Sequence, residues 1–160
     1  MDLVTISENI LRDCLDAKAG EEVYIVTDDT RVSIAQALYE GAKNLGCEAM
    51  MTVMKERELN GEEPPKAIAA AMKAADIVIC PTAKSLTHTN AKIQAVAEGT
   101  RVATMPGITE EMFSRGAMTA DYGEVEKLTA KITELLTECK TARIEKDGCV
   151  LTLNLDGRKG

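Results

Sequence analysis

Short continuous apolar runs that alternate with helix-length amphipathic segments constrain this chain more than any other feature. Val23-Tyr24-Ile25-Val26, Ile77-Val78-Ile79-Cys80 and the run 102–105 lack the polar alternation of a strand with one wet face. Strands covered on both sides read this way. Between them, Ile34, Leu38, Ala42 and Leu45 recur at helical spacing before Gly46, and an Ala-rich segment over about 64–75 presents Ile68, Met72 and Ala75. Pro64 or Pro65 suits the first turn of that helix. A further helix over about 88–98 ends at Gly99, and 48–54 reads as a weaker strand. Leu3, Ile6, Ile10, Leu11, Cys14 and Leu15 predict an amphipathic opening helix over 3–17, and a short helical piece near 109–115 follows Pro106-Gly107. Val125, Leu128, Ile132, Leu135 and Cys139 fall on one face of a last long helix. Lys146-Asp147-Gly148, between the strand-like runs 142–145 and 150–155, signals a hairpin.

The fold predicted is α/β: three layers, a mostly parallel sheet with helices on both faces, and a C-terminal β-hairpin. The runs 23–26, 77–80 and 102–105 are its expected central strands. A chain of 160 residues falls in the range of one domain, expected over 1–155, and the polar, Gly-rich 156–160 reads as a linker or an engineered end.

Charge and aromatic content exclude whole classes of partner. Nineteen Lys and Arg against 26 Asp and Glu leave a net charge of −7, the wrong sign for binding by phosphate neutralisation. Phe113, Tyr24, Tyr39 and Tyr122 are the only aromatics, too few to stack exposed bases. No nucleic-acid partner is therefore expected. The sequence has neither a basic-then-apolar leader nor an apolar run long enough to span a bilayer, so no membrane partner is expected and the cytoplasm is the expected location. Cys14, Cys47, Cys80, Cys139 and Cys149 are odd in number and contain no Cys-x-x-Cys pair, which argues against a disulfide framework or zinc knuckle. Cys80 and Cys139, set among apolar neighbours, are expected to be reduced and packed in the core.

In an open parallel sheet, ligands bind beyond the carboxyl ends of the strands, which directs attention to the loops 27–31, 82–89 and 106–111. Asp28 and Asp29 in the first resemble the acidic pair that holds magnesium in phosphoryl-transfer domains. The third strand, however, ends Cys80-Pro81-Thr82 without a carboxylate to phosphorylate, and capping of the following helix accounts for the same pair. The second loop holds Lys84, Ser85 and His88, the only histidine. Ser85, His88 and Asp28 could form a nucleophilic trio, although Ser85 lacks the glycine-flanked elbow that exposes a nucleophile, and a Ser or Thr before a helix commonly caps it. Asp28, Asp29, Lys84, Ser85 and His88 thus define a candidate strand-end cleft, with capping and packing as the alternative roles. No glycine-rich phosphate loop occurs. The acidic pairs Glu62-Glu63 and Glu110-Glu111 do not converge at ligand spacing and read as solvated. No catalytic, cofactor-binding or metal-binding residue is assigned, and no cofactor is expected in this chain.

Several motifs nevertheless resemble a known family. Ser85-Leu86-Thr87-His88-Thr89, Arg101-Val102-Ala103, and Met105-Pro106-Gly107-Ile108-Thr109-Glu110-Glu111-Met112 resemble the N-terminal half of aminopeptidase T-type leucyl aminopeptidases, the M29 metallopeptidases. Gly20-Glu21-Glu22-Val23 before the first strand, Gly61-Glu62-Glu63-Pro64-Pro65, and Leu151-Thr152-Leu153-Asn154-Leu155-Asp156-Gly157-Arg158 extend the likeness over nearly the whole chain. The resemblance implies a dinuclear-metal exopeptidase whose Glu, His, Asp and Tyr ligands lie in a second half beyond this sequence. On that reading divalent metal ions belong to the full-length protein, a peptide or small-molecule substrate is reached through the absent C-terminal domain, and this chain alone is inactive. A homo-oligomer is compatible with it. The family's Gly-Thr-Asp-Leu-Thr pattern appears here as Gly148-Cys149-Val150-Leu151-Thr152, without the Asp. Similar sequences include iron-dependent dioxygenases that open dihydroxypyridine rings, so a domain of such an enzyme is an alternative, as is a non-catalytic α/β module that binds a small ligand or partner.

Overall fold

The apolar runs pair side by side in a computed structural model that describes residues 2–160. The chain divides by compactness into two units, 1–120 and 121–160, where the sequence suggests one domain over 1–155. In the first unit, β1 (Glu22–Asp28), β2 (Glu48–Met54), β3 (Ile77–Thr82) and β4 (Arg101–Pro106) form a parallel sheet in the order β2-β1-β3-β4. Register sets Val23 against Ile77 and Ala49, and Ile79 against Ala103.

Helices cover both faces, as the unbroken apolarity of β1 and β3 requires. On one face, α1 (Leu3–Asn9, continued by a π-helical turn over Ile10–Cys14), α2 (Val32–Asn44) and α5 (Glu110–Ser114) enclose Ile6, Leu11, Ile25, Ile34, Leu38, Ile77, Ile79 and Phe113. On the other, α3 (Lys66–Ala74) and α4 (Asn90–Ala97) enclose Val26, Met72, Val78, Cys80 and Leu86. Each such large side chain contributes roughly 1.5–3 kcal/mol on burial. Gly41 lets α1 and α2 approach: a Cβ there would lie 2.9 Å from Ser7 Cβ and 3.1 Å from the Glu8 backbone nitrogen.

β4 is an edge strand rather than a central one. The crossover through α4 sets it outside β3, no strand among the described residues pairs beyond it, and its residues from 101 to 104 are half-buried. The crossover through α2 lies on one face and those through α3 and α4 on the other. The order of winding therefore reverses between β1 and β3, the topological switch point of the sheet.

The second unit consists of α6 (Tyr122–Glu138), capped by Asp121 accepting the Glu124 N–H at 3.1 Å, and the antiparallel pair β5 (Thr141–Lys146) and β6 (Cys149–Asn154). Asp147 and Gly148, with φ of 50° and 78°, supply the two left-handed residues that a two-residue hairpin turn needs. No residue of this unit is buried. Cys139, expected in the core, is exposed together with Cys14 and Cys149, while Cys47 and Cys80 are buried. The apolar spacing around Cys139 marks a helix face, and nothing within the unit covers that face. No helix among the described residues is long and apolar enough to cross a membrane.

Candidate functional site

The five residues singled out from sequence gather at the carboxyl end of the sheet, around the switch point. Asp28, the last residue of β1, is buried. Its Oδ1 accepts the Thr30 N–H at 3.0 Å and the Thr30 hydroxyl at 2.6 Å, and its Oδ2 accepts the Ala83 N–H at 2.6 Å. Both carboxylate oxygens are thus spent on donors, and the bond to Ala83 ties the loop after β1 to the loop after β3 across the crevice where doubly wound sheets open. Thr27 reinforces the tie by donating its hydroxyl to the Pro81 carbonyl at 2.9 Å.

Neither Asp28 nor Asp29 caps α2, contrary to the sequence reading. The helix begins at Val32 with Arg31 at the cap and no side-chain cap hydrogen bond. Asp28 lies too early to cap, and its turn on Thr30 and bond to Ala83 take its place. Asp29 is exposed. Arg31 donates from its Nη1 to the Thr30 carbonyl at 3.0 Å, while its buried Nε has no hydrogen-bond partner.

In the loop after β3, Ser85 is pinned to the loop before α3. Its N–H donates to Asn60 Oδ1 at 2.8 Å, and its carbonyl accepts the Gly61 N–H at 2.8 Å. Its hydroxyl donates to Thr87 Oγ1 at 2.9 Å and accepts the Thr87 N–H at 3.2 Å, and Thr87 Oγ1 lies 2.8 Å from Thr104 Oγ1 on β4. The result is a row of three hydroxyls, Ser85, Thr87 and Thr104, along the mouth of the sheet. Ser85 and Asp28 are occupied by these bonds, so the trio with His88 is not assembled. His88 is exposed in the turn just before Thr89, the cap of α4. Lys84 is half-buried, and its carbonyl accepts the Thr82 hydroxyl at 2.7 Å.

Glu62 and Glu63, expected to be solvated, organise this edge instead. Glu63 accepts the Asn90 N–H at 2.5 Å and the Ala91 N–H at 3.1 Å, neutralising orphan donors and the positive end of α4. Glu62 accepts the Glu58 and Leu59 N–H groups, which hold its carboxyl below the usual carboxylate range. Glu110 accepts the Ser33 hydroxyl at 2.5 Å. Asn60, Glu63 and Thr104 escape the sequence reading because their partners lie 17 to 28 residues away. Only Asn60-Gly61 carries a local turn signature.

Chemically, the edge offers hydroxyls, one amine and one imidazole to a polar ligand. The residues present do not make a dinuclear metal centre: among the described residues no three His, Cys, Asp or Glu side chains converge, and both Asp28 oxygens already accept hydrogen bonds from the protein. Two cavities lie elsewhere. One of about 500 Å³ lies between α2 and β2, lined by Gln36, Tyr39 and Met51 among others. A polar one of about 390 Å³ lies at the opposite end of the strands, where Glu21 and Arg101 pair at 2.5 Å.

Comparison places this architecture among solved structures. The chain is similar to 2,5-dihydroxypyridine dioxygenase from Pseudomonas putida KT2440, with a TM-score of 0.71 at 16% identity over 95% of this chain and 46% of that one. The shared fold is what this likeness shows. The chain spans a little under half the length of the dioxygenase. It is also similar to AmpT from Thermus thermophilus, an M29 aminopeptidase T, with a TM-score of 0.48 at 14% identity over 85% of this chain and 43% of that one. A fatty acid ABC transporter substrate-binding protein from Thermomonospora curvata gives a TM-score of 0.49 at 16% identity over 83% and 39% of the two chains. No protein-family model and no curated protein matches the sequence.

Proposed function

We propose that this chain is the N-terminal domain of a metal-dependent exopeptidase of the aminopeptidase T type, inactive alone, whose carboxyl-edge loops help to seat substrate for a catalytic half that holds the metals. The observation that carries this reading is where the two most specific motifs fall. The segment from Ser85 to Thr89 follows β3 and the segment from Met105 to Met112 begins at the carboxyl end of β4, and Thr87 of the first lies 2.8 Å from Thr104, the β4 residue just before the second. Residues that resemble one family and are far apart in sequence thereby share one edge of the sheet, the edge where such folds take ligands.

A second reading draws support from the likeness to a 2,5-dihydroxypyridine dioxygenase. On that reading the same domain serves ring opening. One assay separates the two. The 160-residue chain and any longer native chain are dialysed, loaded with zinc, cobalt, manganese or ferrous iron, and offered a leucine anilide or 2,5-dihydroxypyridine with oxygen. Anilide hydrolysis by the longer chain alone is the expected result. Oxygen uptake with the pyridine would favour the dioxygenase, and turnover by the 160-residue chain at the longer chain's rate would refute the division of labour.

A further inference from the structure

The two edges of the four-stranded sheet are built differently. β4 opens on Arg101, whose guanidinium is drawn back onto the Leu15 and Asp16 carbonyls, and closes on Pro106, which has no N–H to offer. Both features discourage another strand from joining it. β2, the opposite edge, runs from Glu48 to Met54 without a proline, lysine or arginine. One bond sets its backbone direction: the Glu48 N–H donates to the Glu21 carbonyl at 2.9 Å, so the backbone groups of Glu48 face β1. Strand alternation turns those of Met50, Thr52 and Met54 the same way and directs the N–H and C=O groups of Ala49, Met51 and Val53 outward, where no strand among the described residues meets them. The side chains of these three residues share the α2 face, on which Ala49 and Met51 pack against the core. Beside them lies the cavity of about 500 Å³ lined by Gln36, Tyr39, Ala49, Met50 and Met51. Met50 and Val53 are each 42% exposed.

We propose that this edge is where a second copy of the chain pairs, β2 against β2 in antiparallel order about a two-fold axis at Met51. With Met51 opposite Met51, Ala49 falls opposite Val53 twice, and the three outward residues bond to one another through about six backbone hydrogen bonds. The smallest shift that keeps side chains on their faces would set Val53 against Cys47, whose N–H already serves the Ala42 carbonyl, or Ala49 against the charged Lys55. Side chains favour the same register. Ala49 borders the cavity, and the exposed Val53 of the second copy lies across from it, an apolar group for each recess. The Glu48 end of one strand comes beside the Lys55 end of the other, so unlike charges meet at both ends of the pairing. The joined sheets then end on the two blunted β4 edges, and the assembly closes at two copies. Each side contributes about a dozen residues of β2 and the outer face of α2, against about 20–30 in a standard interface, so the dimer is weak, with a Kd of about 10–100 µM.

Sedimentation velocity on the 160-residue chain between about 5 and 500 µM, with amide hydrogen exchange by NMR at both ends of that range, tests the proposal. The chain should pass from monomer to dimer. The Ala49, Met51 and Val53 amides should exchange about fivefold more slowly at the high concentration, while those of Met50, Thr52 and Met54 stay equally protected. Val53→Lys and Ala49→Pro should each hold the chain monomeric: the first places a cation at each recess, and the second removes an N–H that the monomer leaves outside its own sheet. Gln94→Lys, which adds the same charge on the exposed face of α4, should leave the dimer intact. Urea midpoints are read alongside, and if one of the two edge variants has lost its fold the other decides. A chain that stays monomeric throughout would overturn the proposal. So would a dimer that survives the edge substitutions, or species that keep growing with concentration. Outward amides protected alike at both concentrations would overturn it too, since another segment of the protein would then cover the edge.

Discussion

Substitution of Asp28 separates a ligand-binding carboxylate from a structural one. Its two oxygens divide their work: Oδ1 serves Thr30 and Oδ2 serves Ala83. Asparagine keeps the shape but has one acceptor oxygen, so its amide must present N–H to one set of donors. If it turns that group toward Ala83, a charge-assisted bond of about 1.5–3 kcal/mol is lost and a half-buried backbone N–H is left without an acceptor, at about 1–3 kcal/mol. These terms overlap, and roughly 3 kcal/mol of destabilisation is expected for Asp28→Asn, with about 4 kcal/mol for Asp28→Ala, which also empties the site. For a urea slope near 2 kcal/mol per molar, the asparagine variant should unfold about 1.5 M earlier at unchanged slope. Far-UV circular dichroism through a urea series measures it, since the chain has no tryptophan. A loss under about 0.5 kcal/mol would refute the clamp and return Asp28 to the role of a residue kept for a ligand.

Four further outcomes follow from the same geometry. Gly41→Ala should cost about 1–3 kcal/mol, because its Cβ meets Ser7 and the Glu8 backbone where α1 crosses α2; a urea midpoint equal to that of the parent chain would show that the helices can part freely. Glu63→Ala removes the carboxylate from the Asn90 and Ala91 N–H groups and should cost about 1 kcal/mol, with faster hydrogen exchange confined to the start of α4 as its signature. A thiol reagent should modify Cys14, Cys139 and Cys149 at once and reach Cys47 and Cys80 only on unfolding, since burial pushes the Cys80 thiol up to about 12; fast native modification of Cys80 would contradict the packing of β3. The Arg101 side chain, then the Lys18 N–H, holds the Glu21 carboxyl below its usual range. The stability this confers is full above the unfolded carboxylate range and is lost as pH falls through the lower folded value. Urea midpoints of Glu21→Gln should therefore fall less steeply with acid than those of the parent, and parallel profiles would rule the pair out as a source of acid sensitivity.

The sequence by itself determined the α/β class, the parallel pairing of its apolar runs, the face of α6 and the Asp147-Gly148 turn. Each of these depends on neighbours within a few positions: a period of 3.6, an unbroken apolar run, or two residues tolerant of positive φ. Contacts between segments are of another kind, and only the tertiary structure decided them. That β4 lies at an edge depends on which strand the α4 crossover passes, and periodicity does not encode that choice. That Asp28 bridges to Ala83 rather than capping α2, that Glu63 caps a helix starting 27 residues later, and that Ser85 faces Thr87 and Asn60 instead of His88 all turn on loops meeting at one end of the sheet. The exposure of Cys139 has the same origin. Its apolar spacing announces a helix face that must be covered, but burial is a property of the partner across the gap, and a periodic pattern specifies the need for a partner without specifying which one.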